Sequence, residues 1–336
     1  MIENLRMKKA EILMNKWGKQ KIPFLFIIDF ECKEPIILRL DQVEASQIQY
    51  QFRSTGNTWS SPASLPSSIQ FEIEPIDFFT YQMAFQKAQN AIFEGNSYLL
   101  NLTFPTPIQT NLSLYQIFQN STAPYRLWMK DRFVVFSPEP FVKIENGQIA
   151  SYPMKGTIDA DLPAAEAVLM ANQKERAEHA TIVDLIRNDL NMVAQKVSVE
   201  RYRFLDRIET NRGNILQTST KIVGEVGEEY HQSIGTILRK LLPAGSISGA
   251  PKKKTVEIIQ SAEPFDRGYY TGVMGLFDGE KLDSAVMIRF IEQQGAQKVF
   301  KSGGGITAQS DVMEEYQEMI KKVYLPFVSQ SKMLTV

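Results

Sequence analysis

Strand-like runs follow one another in this chain instead of alternating with helices, and that succession most constrains its fold. Residues 22–30, 36–40, 98–104, 132–137, 270–277, 284–292 and 297–302 read as strands bounded by turn-forming residues. The segment VKIENGQIASYP adds a hairpin signal, because Asn146-Gly147 suits a tight turn between two β-like runs. Helical spacing covers 76–94, stopping at Gly95, and also 164–192, 232–242, 252–261 and 311–324, with Pro243 ending the third. Residues 54–69, rich in Ser, Pro and Gly, read as a loop, as does Ala244–Pro251. The glycine triplet after Ser302 is expected to break its sheet. A doubly wound parallel sheet needs strict β–α alternation, so the expected class is α+β.

The 336 residues suffice for a large core. Hydrophobic residues make up 43% and charged residues 22%, as in ordinary soluble globular chains. The net charge of -1, without a long like-charge run, argues against a nucleic-acid surface or a polybasic membrane patch. Cys32 is the single cysteine, so neither a disulfide framework nor a cysteine-based metal site is available, and the reducing cytoplasm is the expected compartment. The charged start lacks a secretory apolar segment, and the run Ile22–Phe30 is too short to span a bilayer.

Several segments carry chemistry. Glu175 and Glu178 share a face of one expected helix, and Glu315 and Glu318 repeat that spacing on the last, with Lys322 four residues on. Two such faces brought together offer oxygen ligands suited to Mg²⁺. Glutamate pairs at this spacing also decorate solvated helices, so spacing alone leaves both readings open. Glu178 is followed by His179 and the mostly apolar ATIVDLI, where a carboxylate needs a partner. LPAGSISGAPK and KSGGGIT supply small residues and backbone amides that can cradle a carboxylate or phosphate. Neither matches a nucleotide-binding glycine motif. Arg289 lies in the apolar run AVMIRFIE, read as strand, and a buried guanidinium needs an anion from the chain or from a substrate. Lys155 stands in the turn-like Pro153-Met154-Lys155-Gly156-Thr157, where it is either an exposed turn lysine or a nucleophilic amine. Glu139, in SPE, reaches the same cavity if the Asn146-Gly147 hairpin forms, and could serve there as a general acid.

Taken together, SPEPF, PMKGT, ERAEHATIVDLIRNDL, LPAGSISGAPKKKTVEII, RGYYTGVMG, MIRF, SGGGIT and EEYQEMIKK resemble the chorismate-utilising enzymes, in order and in spacing, from about residue 75 to 325. The resemblance implies two packed, mainly antiparallel β-sheets flanked by helices. It also implies a single domain over 1–336, with 1–75 a shortened N-terminal portion of the same fold. Lys155 resembles the lysine of the aminodeoxychorismate synthase branch, where anthranilate synthases carry alanine. Chorismate is the implied substrate, with Lys155 adding at ring carbon C2 and Glu139 protonating the departing C4 hydroxyl. Glu178 and Glu318, helped by Glu175 and Glu315, would hold Mg²⁺. Tyr270, Arg289 and Lys322 would hold carboxylates, and Ser246 with the amides of Gly303, Gly304 and Gly305 would position the ring.

One departure concerns NILQTSTKIVGEV, where many relatives carry histidine and this chain has Gln217. Gln217 cannot act as an acid, so either Glu139 takes the whole acid role or Gln217 only positions the leaving hydroxyl. Cys32, in DFECKE, lacks the setting of a glutaminase nucleophile, so a separate glutamine amidotransferase subunit is implied as the ammonia source. The alternatives are anthranilate synthase, isochorismate synthase or an inactive chorismate-binding partner.

Overall fold

The computed structural model describes residues 2–58, 63–210 and 213–327. Two antiparallel sheets dominate it. In the first, strands run in the order Met154–Asp159, Gly213–Glu225, Gln148–Ser151, Pro140–Glu145, Leu282–Val286, Val273–Phe277, Phe24–Ile28 and Ile36–Arg39, with Gln195–Thr210 also on Gly213–Glu225. In the second the order is Gly249–Ala250, Leu99–Thr110, Gln297–Ile306, Phe290–Gln294, Phe133–Ser137, Tyr125–Met129, Ile48–Phe52 and Thr55–Gly56, with Phe71–Ile73 also on Leu99–Thr110. The expected antiparallel α+β class is therefore the one observed.

Phe24–Ile28 shows why the sheets pack. All five side chains are fully buried. Side chains alternate along a strand, so Phe24, Phe26 and Ile28 enter one core cluster while Leu25 and Ile27 enter another. This strand pairs with Val273–Phe277, which ties the N-terminal region into the sheet built by the C-terminal half. The Asn146-Gly147 turn forms as expected, with both residues at positive φ between Pro140–Glu145 and Gln148–Ser151. No helix among the described residues is long and apolar enough to cross a membrane.

Four expectations are corrected. The helix expected over 164–192 is two helices, Ala165–Ala171 and Gln173–Asn191, because the Asn172 side chain caps the second at Glu175 N. The strand expected over 284–292 is likewise two: Leu282–Val286 lies in the first sheet and Phe290–Gln294 in the second. Arg289, at φ 54, sits in the crossover between them, because left-handed backbone cannot continue a strand. Third, the glycine triplet does not break its sheet. Gly303, Gly304 and Gly305 pair with Thr103, Leu102 and Asn101 inside the strand Gln297–Ile306. Glycine is required there, since a Cβ on Gly303 would come 2.3 Å from the Leu102 carbonyl oxygen. Fourth, Ala244–Pro251 holds a short helical turn, Gly245–Ser248, as well as loop.

Several elements had no clear signal in the sequence, among them the helices Ile2–Lys19 and Leu114–Asn120, the strands Ile48–Phe52, Phe71–Ile73 and Tyr125–Met129, and the long hairpin of Gln195–Thr210 with Gly213–Glu225. Register shifts along that hairpin blur the two-residue alternation a strand shows. The expected loop over 54–69 contains the short strand Thr55–Gly56, and its residues 59–62 lie outside the described residues.

Candidate active site

The chain crosses between its two sheets at two neighbouring places, and each crossing carries a candidate site residue. Glu139 lies between Phe133–Ser137 of the second sheet and Pro140–Glu145 of the first. Arg289 lies at the return crossing. The crossings are bonded to the strands beside them, Val286 N to Glu139 O and Phe136 N to Arg289 O, each at 3.1 Å. Arg289 Nε donates to the Tyr324 hydroxyl at 3.0 Å.

Glu139 accepts a hydrogen bond from Ser246 Oγ at 2.6 Å. Burial pushes its carboxyl above the ordinary range, against the opposing pull of Ser246 and of the Lys155, Arg289 and Lys322 cations. It is a carboxyl biased towards keeping its proton, ringed by three positive groups. Tyr270, beside this cleft, is buried and its phenol is pushed up by that burial, so it stays neutral.

Lys155 stands on the edge strand Met154–Asp159 of the first sheet, not in the expected turn, and a bulge follows it at Gly156. Gly156 has φ +77, and a Cβ there would meet Glu175 Oε2 at 3.0 Å, so the glycine lets the glutamate helix close onto the bulge. Lys155 Nζ lies 3.4 Å from Glu178 Oε2. Its carbonyl accepts from the Thr218 hydroxyl. His179 packs behind it, fully buried, with Nε2 2.6 Å from Thr220 Oγ1. Burial and the Arg203 cation pull His179 down to about 4, so the imidazole is neutral.

The glycine strand forms the opposite wall. Phe290–Gln294 pairs with it only as far as Lys301, so beyond that point it is bonded on one side. Gly303 O accepts from Lys322 Nζ at 2.8 Å, which turns the Gly303 backbone towards the open edge. Groups alternate along a strand, so Gly305 offers its amide to the same edge and Gly304 turns its own into the ladder. A Cβ on Gly304 would meet Glu315 Oε2 at 3.1 Å and Glu318 Oε1 at 3.8 Å, and one on Gly305 would meet Lys155 Nζ at 3.3 Å. The strand thus joins the Lys155–Glu178 side to the Glu315–Glu318 side. Lys322 Nζ also lies 2.6 Å from Glu318 Oε1, and burial lowers its pKa against that carboxylate's pull.

Lys155, Glu139, Ser246, Arg289, Lys322, the glutamates and the glycines are therefore gathered about the open edge of the glycine strand. Gln217 stands apart: it pairs with Thr157 and Asp206 in the sheet and makes no hydrogen bond to these groups among the described residues. The donor chemistry fits Mg²⁺, since carboxylates supply every candidate ligand. In the arrangement seen, Glu178 and Glu318 face lysines, and Glu315 accepts from Ser310 Oγ at 2.9 Å. Among the described residues no three acidic, histidine or cysteine side chains are gathered as a formed metal centre.

The buried pair Glu263–Arg267 holds both walls and was missed from the sequence. Arg267 Nη2 lies 2.6 Å from Glu263 Oε1, and Nη1 donates to Ile247 O at 3.1 Å, beside Ser246. Nη2 also donates to Asn101 O at 2.5 Å, and Glu263 Oε1 accepts from Thr103 N at 2.8 Å, on the strand that backs the glycines. The four-residue spacing of Glu263 and Arg267 was the only available signal, and Pro264 between them obscured it.

Comparison with known proteins gives the family and the fold. The chorismate binding enzyme family matches residues 30–326. An uncharacterised PabA-like protein of Pasteurella multocida is 55% identical over 315 residues, covering 93% of this chain and 96% of that protein. Aminodeoxychorismate synthase component 1 of Bacillus subtilis is 31% identical over 257 residues, covering 73% of this chain and 54% of that protein. Anthranilate synthase component 1 of Archaeoglobus fulgidus is 29% identical over 310 residues, covering 89% of this chain and 69% of that one. Among solved structures, MenF, the menaquinone-specific isochorismate synthase from Escherichia coli, shares the fold with a TM-score of 0.73 at 17% identity, over 94% of this chain and 80% of that one. A match across most of the chain, with its motifs lining a single cleft, makes this chain a member of the chorismate-binding enzyme family.

Proposed function

We propose that the chain converts chorismate and ammonia to 4-amino-4-deoxychorismate. The carrying observation is one cleft that holds a lysine amine on a bulged strand and, among its cations, a glutamic acid biased towards its protonated form. In this reading Lys155 Nζ, as the free amine, bonds to ring carbon C2. The two ring double bonds each shift by one position and the C4–O bond breaks. The hydroxyl leaves as water with the proton of Glu139, which Ser246 orients. Ammonia then bonds to C4, the double bonds return, the C2–N bond to Lys155 breaks, and the surplus ammonium proton goes back to Glu139.

Arg289, Lys322 and the Gly303 and Gly305 amides would hold the carboxylates, with Tyr270 beside them as a neutral hydroxyl. Glu178 and Glu318, with Glu175 and Glu315, would hold Mg²⁺ at the ring carboxylate, where it would supply electron withdrawal from the diene. Binding there would take Glu178 from Lys155 and Glu318 from Lys322.

Ammonia would come from a separate glutamine amidotransferase subunit. The lone thiol, Cys32, is pushed up to about 12 by burial and by Asp29 and Glu31, the reverse of what a glutaminase nucleophile needs. The PabA-like name carried by close relatives supports such a partner. The product would serve 4-aminobenzoate and folate synthesis in the cytoplasm.

The test is incubation with chorismate, Mg²⁺ and ammonium salt, with and without an added aminodeoxychorismate lyase, and products read by mass spectrometry. 4-Aminobenzoate only with the lyase supports the reading. Anthranilate or isochorismate moves the chain to another branch of the family, and no turnover even with a glutaminase subunit and glutamine marks an inactive binding protein.

A further inference from the structure

Asn101 carries a polar group that has no hydrogen-bond partner among the described residues. It lies on Leu99–Thr110, directly across the ladder from Gly305. Directly opposed residues project to the same face of a sheet, so the Asn101 carboxamide stands over a glycine with no side chain of its own. Lys155 Nζ arrives on that face, 3.3 Å from where a Gly305 Cβ would sit. The backbone around Asn101 is firmly held: its carbonyl accepts from Arg267 Nη2, and Thr103, two residues on and facing the same way, gives both its amide and its hydroxyl to Glu263. The Asn101 Oδ1 atom, in contrast, is buried without a hydrogen bond.

A buried amide oxygen left unpaired is destabilising, and native proteins leave few such atoms. A rigid strand that aims an unpaired carboxamide over a side-chain-free glycine, beside an amine, fits a site that its ligand completes. We propose that Asn101 is a chorismate-contacting residue, its carboxamide hydrogen-bonding a polar substituent of the substrate ring beside Lys155. Oδ1 is an acceptor, so the substituent that completes it is a hydroxyl donating to it. This rests on the chorismate reading above and adds a contact from the strand behind the glycines, where no motif pointed.

The experiment pairs ligand-free melting with calorimetric titration of chorismate in ammonium-free buffer containing Mg²⁺, for the wild type, Asn101→Leu and Asn101→Ser. The expected result is chorismate affinity weakened about tenfold or more in both variants, the worth of one hydrogen bond. Asn101→Leu should keep or raise the ligand-free melting temperature, because it removes an unsatisfied group. Equal affinity in wild type and variants overturns the proposal, and so does a lowered ligand-free melting temperature in both variants with affinity retained. Should Asn101→Leu not fold, Asn101→Ser decides alone. Absence of chorismate binding by the wild type shows in its own arm and overturns the parent reading with this one.

Discussion

Two lysine- or arginine-to-glutamate pairs border the same cleft and differ in almost every physical respect. Arg267 and Glu263 leave only 2% of each side chain exposed, and their polar atoms are shared among backbone and side-chain partners on three segments. Lys155 and Glu178 are 26% and 18% exposed and meet at a loose 3.4 Å. The first pair is saturated and cannot reach a ligand without leaving a buried charge behind. The second retains bonding capacity and faces the cleft. Saturation, more than charge, separates the pair that holds the walls from the pair suited to act between them.

The largest effect should come from the open pair. Lys155→Ala is expected to abolish C4 amination while changing stability by no more than about 1 kcal/mol, as for a partly exposed pair. Product analysis and urea unfolding check this together, and a large stability loss would place Lys155 with the scaffold. Arg267→Leu should do the converse at the closed pair, costing about 3–5 kcal/mol by stranding Glu263 in the interior, measured by urea unfolding. A loss under about 1 kcal/mol would break the contrast.

Glu139 sharpens the same comparison through pH. Its raised pKa gives turnover an alkaline limb: the acid is present below that pKa and lost as pH rises through it. The stability it contributes follows the same sign, full below the unfolded carboxylate value and lost on rising through the raised one. Glu139→Gln should lower kcat by about 10²–10⁴-fold and remove the limb, read from a pH–rate profile. The smallest effect belongs to an exposed pair away from the cleft. Lys254 and Glu257 are each 52% exposed, and Lys254→Ala should shift stability by less than about 1 kcal/mol and leave activity unchanged.

Much of this was legible from residues alone. Apolar runs marked Phe24–Ile28, the Asn146-Gly147 turn marked its hairpin, and the family resemblance carried by the motifs implied one site for Lys155, Glu139, the glutamates and the glycines. Those signals are local, or depend on residue identity at a fixed spacing, and a linear chain displays both. What only the tertiary structure decided were relations between distant segments. Arg289 looked like strand and is a left-handed crossover, because the switch between sheets depends on where the second sheet lies. The glycine triplet looked like a break and is a paired wall, because the need for glycine at Gly303 comes from Leu102 and Thr103, about two hundred residues earlier. Glu263–Arg267 shows only a four-residue spacing obscured by Pro264, and the unpaired Asn101 shows nothing: a side chain's burial and bonding are fixed by its neighbours in space, and sequence spacing does not record them.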